Sequence, residues 1–143
     1  MPLFDQARFA ELFVARIAHD AKAAVTSFVH SFGGERFLAG HFPGYPVVPG
    51  VILLDGMIYA ALCNIERAAE SAEGGVKTAN IETVAFYRPI LPGMNARFSA
   101  RLDAKDESCG SFAFKCSVTV GAARHVRANI RLSTRAGCVS PSH

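Results

Sequence analysis

The sequence predicts an α+β domain, one antiparallel sheet laid over one long helix, on three observations. Residues 51–65 form an apolar run of helix length. Three segments between 96 and 134 alternate apolar and polar side chains. Glycine or proline marks the junctions. The 143 residues suffice for one domain with one core, read as 1–143 with loose tails at 1–7 and 137–143.

Taken in order, Arg8 to Ala18 fits either a helix or a strand, and its second half is read as a strand turning at His19-Asp20. The chain returns as Ala23 to His30, rich in β-branched and aromatic residues. Gly33-Gly34 breaks it, and Glu35 to Ala39 leads into the loop GHFPGYPVVPG at 40–50. Pro43, Pro46 and Pro49 stiffen that loop, and Gly44 and Gly50 permit its turns. From Val51 to Ile65 the helix is apolar on nearly every side, which predicts burial. Its polar face is expected to begin only at Asn64, Glu66 and Arg67. It is too short, and too interrupted by Asp55 and Gly56, to span a bilayer. Ser71 to Gly75 reads as a turn, and Lys77 to Arg88 as a strand ended by Pro89.

The last three strands carry the clearest pattern. Ala96, Phe98, Ala100, Leu102 and Ala104 share one face of 96–104. Phe112, Phe114, Cys116, Val118 and Val120 share one face of 112–120, as do Val126, Ala128, Ile130 and Leu132 in 126–134. A period of two with one apolar face predicts an antiparallel sheet with one wet side. Gly110 and Gly121 mark the hairpin turns.

Half of the residues are hydrophobic and the mean hydropathy is +0.22, more apolar surface than so short a chain can hide alone. Part of it is expected to meet a second subunit. The formal charge of +3 is too mild to argue for nucleic acid. None of the four cysteines forms a Cys-x-x-Cys or zinc pattern. Cys63 and Cys116 read as core thiols, which suits a reducing, cytoplasmic setting. The start of the chain has no signal-peptide pattern. His19, His30, His125 and His143 have no partner pattern and read as surface groups. Arg124, Arg127, Arg131 and Arg135 gather without a nearby acid.

Asp55 is conspicuous. An acid in the second turn of a buried helix is costly unless something pairs with it or uses it. His41 stands at the start of the loop, and a folded-back loop, from the same chain or a partner, can bring imidazole and carboxylate together. The Gly50 N–H opens the helix, where an anion is stabilised.

At these residues the stretch GHFPGYPVVPGVILLDGM, residues 40–57, resembles the signature of the β-hydroxyacyl-acyl-carrier-protein dehydratases of the FabA/FabZ type. The spacing from His41 to Asp55 matches that family's catalytic His-to-acid spacing. VAFYRPILPGM at 84–94 resembles its second motif. The resemblance implies the hot-dog fold, a sheet wrapped round the helix, with domains pairing edge to edge as a homodimer or higher assembly, or as a heterodimer. It implies His41 and Asp55 as catalytic residues from different subunits, the Gly50 N–H as oxyanion donor, and the Val47 carbonyl as the group that orients His41. It implies no metal or redox cofactor. The substrate would be an acyl chain on the 4′-phosphopantetheine of acyl carrier protein. Phe42, Tyr45, Met57, Phe86 and Tyr87 are candidate walls for an apolar acyl tunnel. Arg88, Arg97, Arg124, Arg127 and Arg131 are candidate contacts for the acidic carrier. A thioesterase on the same fold and a non-catalytic subunit of a heterodimer are the alternatives. Three departures stand out: Asp55 where FabZ-type members mostly carry Glu, Met94 where Asp is frequent, and Gly56 where larger residues are common. The last implies a wider cavity beside the acid.

Overall fold

The computed structural model describes residues 13, 16–33, 47–68 and 75–135. The loop residues His41, Phe42 and Tyr45 lie outside them. The strands are β1 (Ala18–Asp20), β2 (Val25–Ser31), β3 (Thr78–Phe86), β4 (Asn95–Asp106), β5 (Ser111–Val120) and β6 (Ala123–Ser133), with the helix α1 (Gly50–Arg67) between β2 and β3. They form one six-stranded sheet in the order β1-β2-β4-β5-β6-β3, and every neighbouring pair is antiparallel. The helix packs against the inner face over β2, β4 and β5. This is the hot-dog fold that the resemblance implied.

The period-two segments fold as expected up to their irregularities. Phe98, Ala100, Phe114, Cys116, Val118, Val126, Ala128, Ile130 and Leu132 all face the core and are almost fully buried. Ala104, expected on the same face, is exposed. The β4–β5 register shifts between Leu102 and Ala104, so Asp103 is an extra residue and the alternation reverses beyond it. The turn expected at His19-Asp20 comes later, at residues 21–24, and His19 and Asp20 belong to β1. There Ala24 takes a positive φ of 55°.

Asn64 does not begin a polar face: it is buried, and its Nδ2 donates to the Ala24 carbonyl at 2.8 Å and the Ala100 carbonyl at 3.3 Å. Its amide ties the helix to the β1–β2 turn and to β4, which explains a polar group inside the core. Three histidines read as surface groups are also better partnered than that. His19 Nδ1 lies 2.7 Å from Thr26 Oγ1, His30 packs edge-on against Phe13 and Phe32, and His125 is buried. Cys63 and Cys116 are free and buried, as expected. Cys109, in the β4–β5 turn, is disulfide-bonded, which the reading of a reducing setting did not anticipate.

Candidate active site

Helix α1 begins directly after Pro49, whose φ of −58° and ψ of 141° are extended. The Pro49 carbonyl accepts from Ile52 and Leu53 N–H at 3.0 and 3.3 Å. No side chain caps this end, and the first turn holds no acid. Among the described residues no acid in the first turn offsets its positive dipole, and the Gly50 N–H has no acceptor. The helix start opens into a cleft of about 290 Å³ formed with the end of β3 and the segment after it. Val48, Gly50, Leu53, Phe86, Tyr87, Arg88, Pro89 and Ile90 line it. The Phe86 ring covers Gly50: a Cβ there would stand 3.1 Å from Phe86 Cζ. Gly50 thus lets an aromatic ring approach the backbone donor.

The cleft is braced by a short chain of hydrogen bonds. Val48 N–H donates to the Ile90 carbonyl at 2.9 Å, joining the helix entrance to the segment after β3. That segment is in turn held by His125. The His125 carbonyl accepts from Tyr87 and Arg88 N–H at 2.8 and 3.3 Å, and its Nδ1 lies 3.1 Å from the Pro89 carbonyl. His125 is the extra residue of a β6 irregularity, since Val126 pairs with Val118 and Arg124 with Thr119. The bulge turns the imidazole inward beneath Pro89. No pattern in the sequence pointed to it, because an extra residue in a strand has no signature of its own.

Asp55 stands five residues beyond Gly50, roughly 7.5 Å along the helix axis. It lies one turn from Val51, which is 63% exposed, and it does not line the cleft. Burial alone holds its carboxyl above the ordinary value of 3.8, which favours the protonated acid. Gly56, next to it, does not widen a cavity. The Phe98 ring fills the space beside it so tightly that a Cβ there would collide with the ring. Met57 is fully buried in the core, whereas Phe86 and Tyr87 are half-exposed walls of the cleft. Val47 is half-buried beside Val48.

The residues flanking this site on β3 are uncovered. Ile81, Val84 and Phe86 pair with the inward-facing Ile130, Ala128 and Val126 of β6, so they too face inward. Yet they are 38%, 40% and 51% exposed, because the helix does not lie over β3. On this edge strand they leave an open apolar trough beside α1, and Val51 on the helix is exposed as well.

The basic residues separate into groups. Arg88 lines the cleft. Arg97 belongs to β4, and Arg124 and Arg127 to β6; Arg124 and Arg127 line a groove on the outer face of the sheet. Arg131 has an acid after all, with its Nε 3.6 Å from Glu82 Oε1. Glu82 is an extra residue in β3, where the register with β6 shifts, and periodicity could not place it beside Arg131.

Comparison with known proteins bears on this arrangement. Residues 18–125 match the family model described as the ApeI dehydratase, ApeI-like. The 3-hydroxyacyl-acyl-carrier-protein dehydratase FabZ of Thermus thermophilus is 30% identical over 112 residues, covering 78% of this chain and 79% of that protein. The enzyme of the same name from Polynucleobacter necessarius is 28% identical over 130 residues, covering 90% and 85%. Among solved structures, the dehydratase heterocomplex ApeI:P of Xenorhabdus doucetiae superimposes with a TM-score of 0.56 at 20% identity, covering 83% of this chain and 97% of that one. The family match spans the helix with Asp55, the cleft, the strands β1 to β5 and the start of β6, and the chain belongs to the ApeI-like dehydratases, within the hot-dog 3-hydroxyacyl-acyl-carrier-protein dehydratase family.

Proposed function

We propose that this protein removes water from β-hydroxyacyl chains carried on acyl carrier protein, giving trans-2-enoyl thioesters. The observation that carries the reading is Asp55, held toward its protonated form on the helix whose bare N-terminus opens the cleft. His41 takes a proton from the carbon next to the thioester carbonyl, and its near-neutral reference pKa suits that task. The Val47 carbonyl accepts from the other imidazole nitrogen and fixes the tautomer. As the carbon–carbon double bond forms, the bond to the β-hydroxyl breaks. The Asp55 carboxyl gives its proton to that leaving oxygen, which departs as water. The Gly50 N–H, with the helix dipole behind it, holds the negative charge on the thioester oxygen; a donor of this kind is worth about 3 kcal/mol.

Asp55 shares a helix face with the exposed Val51, and the β3 edge of the sheet is uncovered. A second subunit seated there, a second copy or a related chain, completes the site: it covers the trough and brings its own His41 toward this Asp55. Phe86 and Tyr87 become walls for the acyl chain, together with Phe42 and Tyr45. Arg88, at the cleft, meets the acidic carrier.

The test is turnover by purified protein across β-hydroxyacyl-carrier substrates, followed by formation of the enoyl thioester. His41→Ala and Asp55→Asn are each expected to lower kcat at least about a hundredfold. Full turnover by both variants refutes the assignment. Release of free thiol without an enoyl product indicates a thioesterase instead.

A further inference from the structure

The outer face of the sheet, turned away from α1, carries an arrangement that dehydration does not use. Register places Arg101 directly opposite Lys115, Ser99 opposite Ser117, and Arg127 beside Ser117 on the next strand. Arg124 stands one rank further, opposite Thr119. These residues enclose a groove of about 360 Å³, lined by Ser99, Arg101, Lys115, Ser117, Arg124 and Arg127, with Val25 and Cys116. Four cations converge there. None of them makes an ion pair among the described residues, whereas the neighbouring Arg131 has its Glu82. Cross-strand like charges oppose folding, so the Arg101–Lys115 pair is a local conflict that a bound anion would resolve.

We propose that this groove binds the phosphates of a small diphosphate-bearing molecule, such as a nucleoside diphosphate, between Arg101, Lys115, Arg124 and Arg127 and over the Ser99 and Ser117 hydroxyls. Charge count selects two phosphates: one phosphate carries at most two negative charges, which leaves half of the cations uncompensated. Guanidinium forks grip phosphate oxygens in pairs, and a hydroxyl between them donates a further hydrogen bond. The groove is concave and of small-ligand size, which favours a compact polyanion over a protein surface. Cys116 adds no competing charge, because burial pushes its thiol up to about 12. The site is separate from the dehydration cleft and stands whether or not that activity is found.

The test is calorimetric titration and thermal unfolding of the intact protein with pyrophosphate and with ADP at constant ionic strength, against sulfate and an acidic carrier protein in its apo form. Pyrophosphate and ADP are expected to bind and to raise Tm by several degrees. Arg127→Glu and Arg101→Glu are each expected to weaken that binding about tenfold or more. The charge-matched Arg67→Glu, in the last turn of the helix, leaves it intact. Three results overturn the proposal: no response to pyrophosphate or ADP, a response equal to that of sulfate, or a response indifferent to Arg127→Glu. Binding of the carrier protein alone, lost in Arg127→Glu, reassigns the groove to protein docking.

Discussion

The two flanks of helix α1 are built differently. On the β2–β4 flank, Phe13, Phe28, Phe98 and Tyr59 form an aromatic cluster, with Phe28 and Phe98 stacked at 5.0 Å and Phe13 and Tyr59 at 6.1 Å. All four are buried, and Asn64 ties the helix down beside them. On the β3 flank, the inward-facing Ile81, Val84 and Phe86 stay open to solvent. One flank is finished within the chain, and the other is left for something else to finish. The closed flank holds the buried core, and the open one ends at the cleft beside the helix start.

The comparison is sharpest in paired truncations. Phe98→Ala removes a ring with 0% exposure that stacks on Phe28 and packs on Gly56. It is expected to destabilise the fold by about 3–5 kcal/mol in chemical denaturation. Phe86→Ala, at 51% exposure, is expected to cost under about 1 kcal/mol in the same measurement at subunit concentrations too low for association. Its effect should appear instead as weaker self-association in sedimentation. Equal losses of fold stability in the two variants contradict the division.

His125 offers an intermediate case, since it serves the open flank from a buried position. His125→Phe keeps a planar ring, somewhat larger, but leaves the Pro89 carbonyl without its partner. A loss of about 1–3 kcal/mol is expected. Gln at the same position, which can still donate to that carbonyl, should recover part of it.

The smallest effect concerns Asp55 and pH. Its carboxyl is held above 3.8 in the folded chain. Below that value the carboxyl is protonated in both states and costs nothing. As pH rises past it, the unfolded chain ionises first, and the folded state loses stability until its own carboxyl ionises. Asp55→Asn removes this dependence. Relative to the wild type, the variant should therefore gain stability as pH rises from about 3 to about 7, while losing turnover. A difference in unfolding free energy that stays flat across that range contradicts burial as the cause.

Much of this was legible in the residues. The alternation of 112–120 and 126–134 gave the central strands and their inner faces, and the run Val51 to Ile65 gave the helix. The FYRP segment was read as a strand ending at a proline, and it does lead from β3 into the cleft. What could not be read were the places where one residue is added. Asp103 reverses the alternation before Ala104, Glu82 finds Arg131, and His125 turns inward, each at a shift of register. A strand pattern assumes an unbroken period, and an extra residue changes which face follows without changing composition. Asn64 was misread for a related reason. Amide polarity suggested solvent, but two carbonyls awaited it inside.

The contact between Gly56 and Phe98 works as a spacer that sets how deeply position 55 sits. The ring occupies the volume a side chain at 56 would need, so the helix rests on the sheet at a separation fixed by an aromatic residue of β4. Enlarging residue 56 alone would lift Asp55 away from the sheet. Trimming Phe98 alone would let it sink. Anyone remodelling the room around the acid must change the two positions together, as in Gly56→Ala with Phe98→Leu.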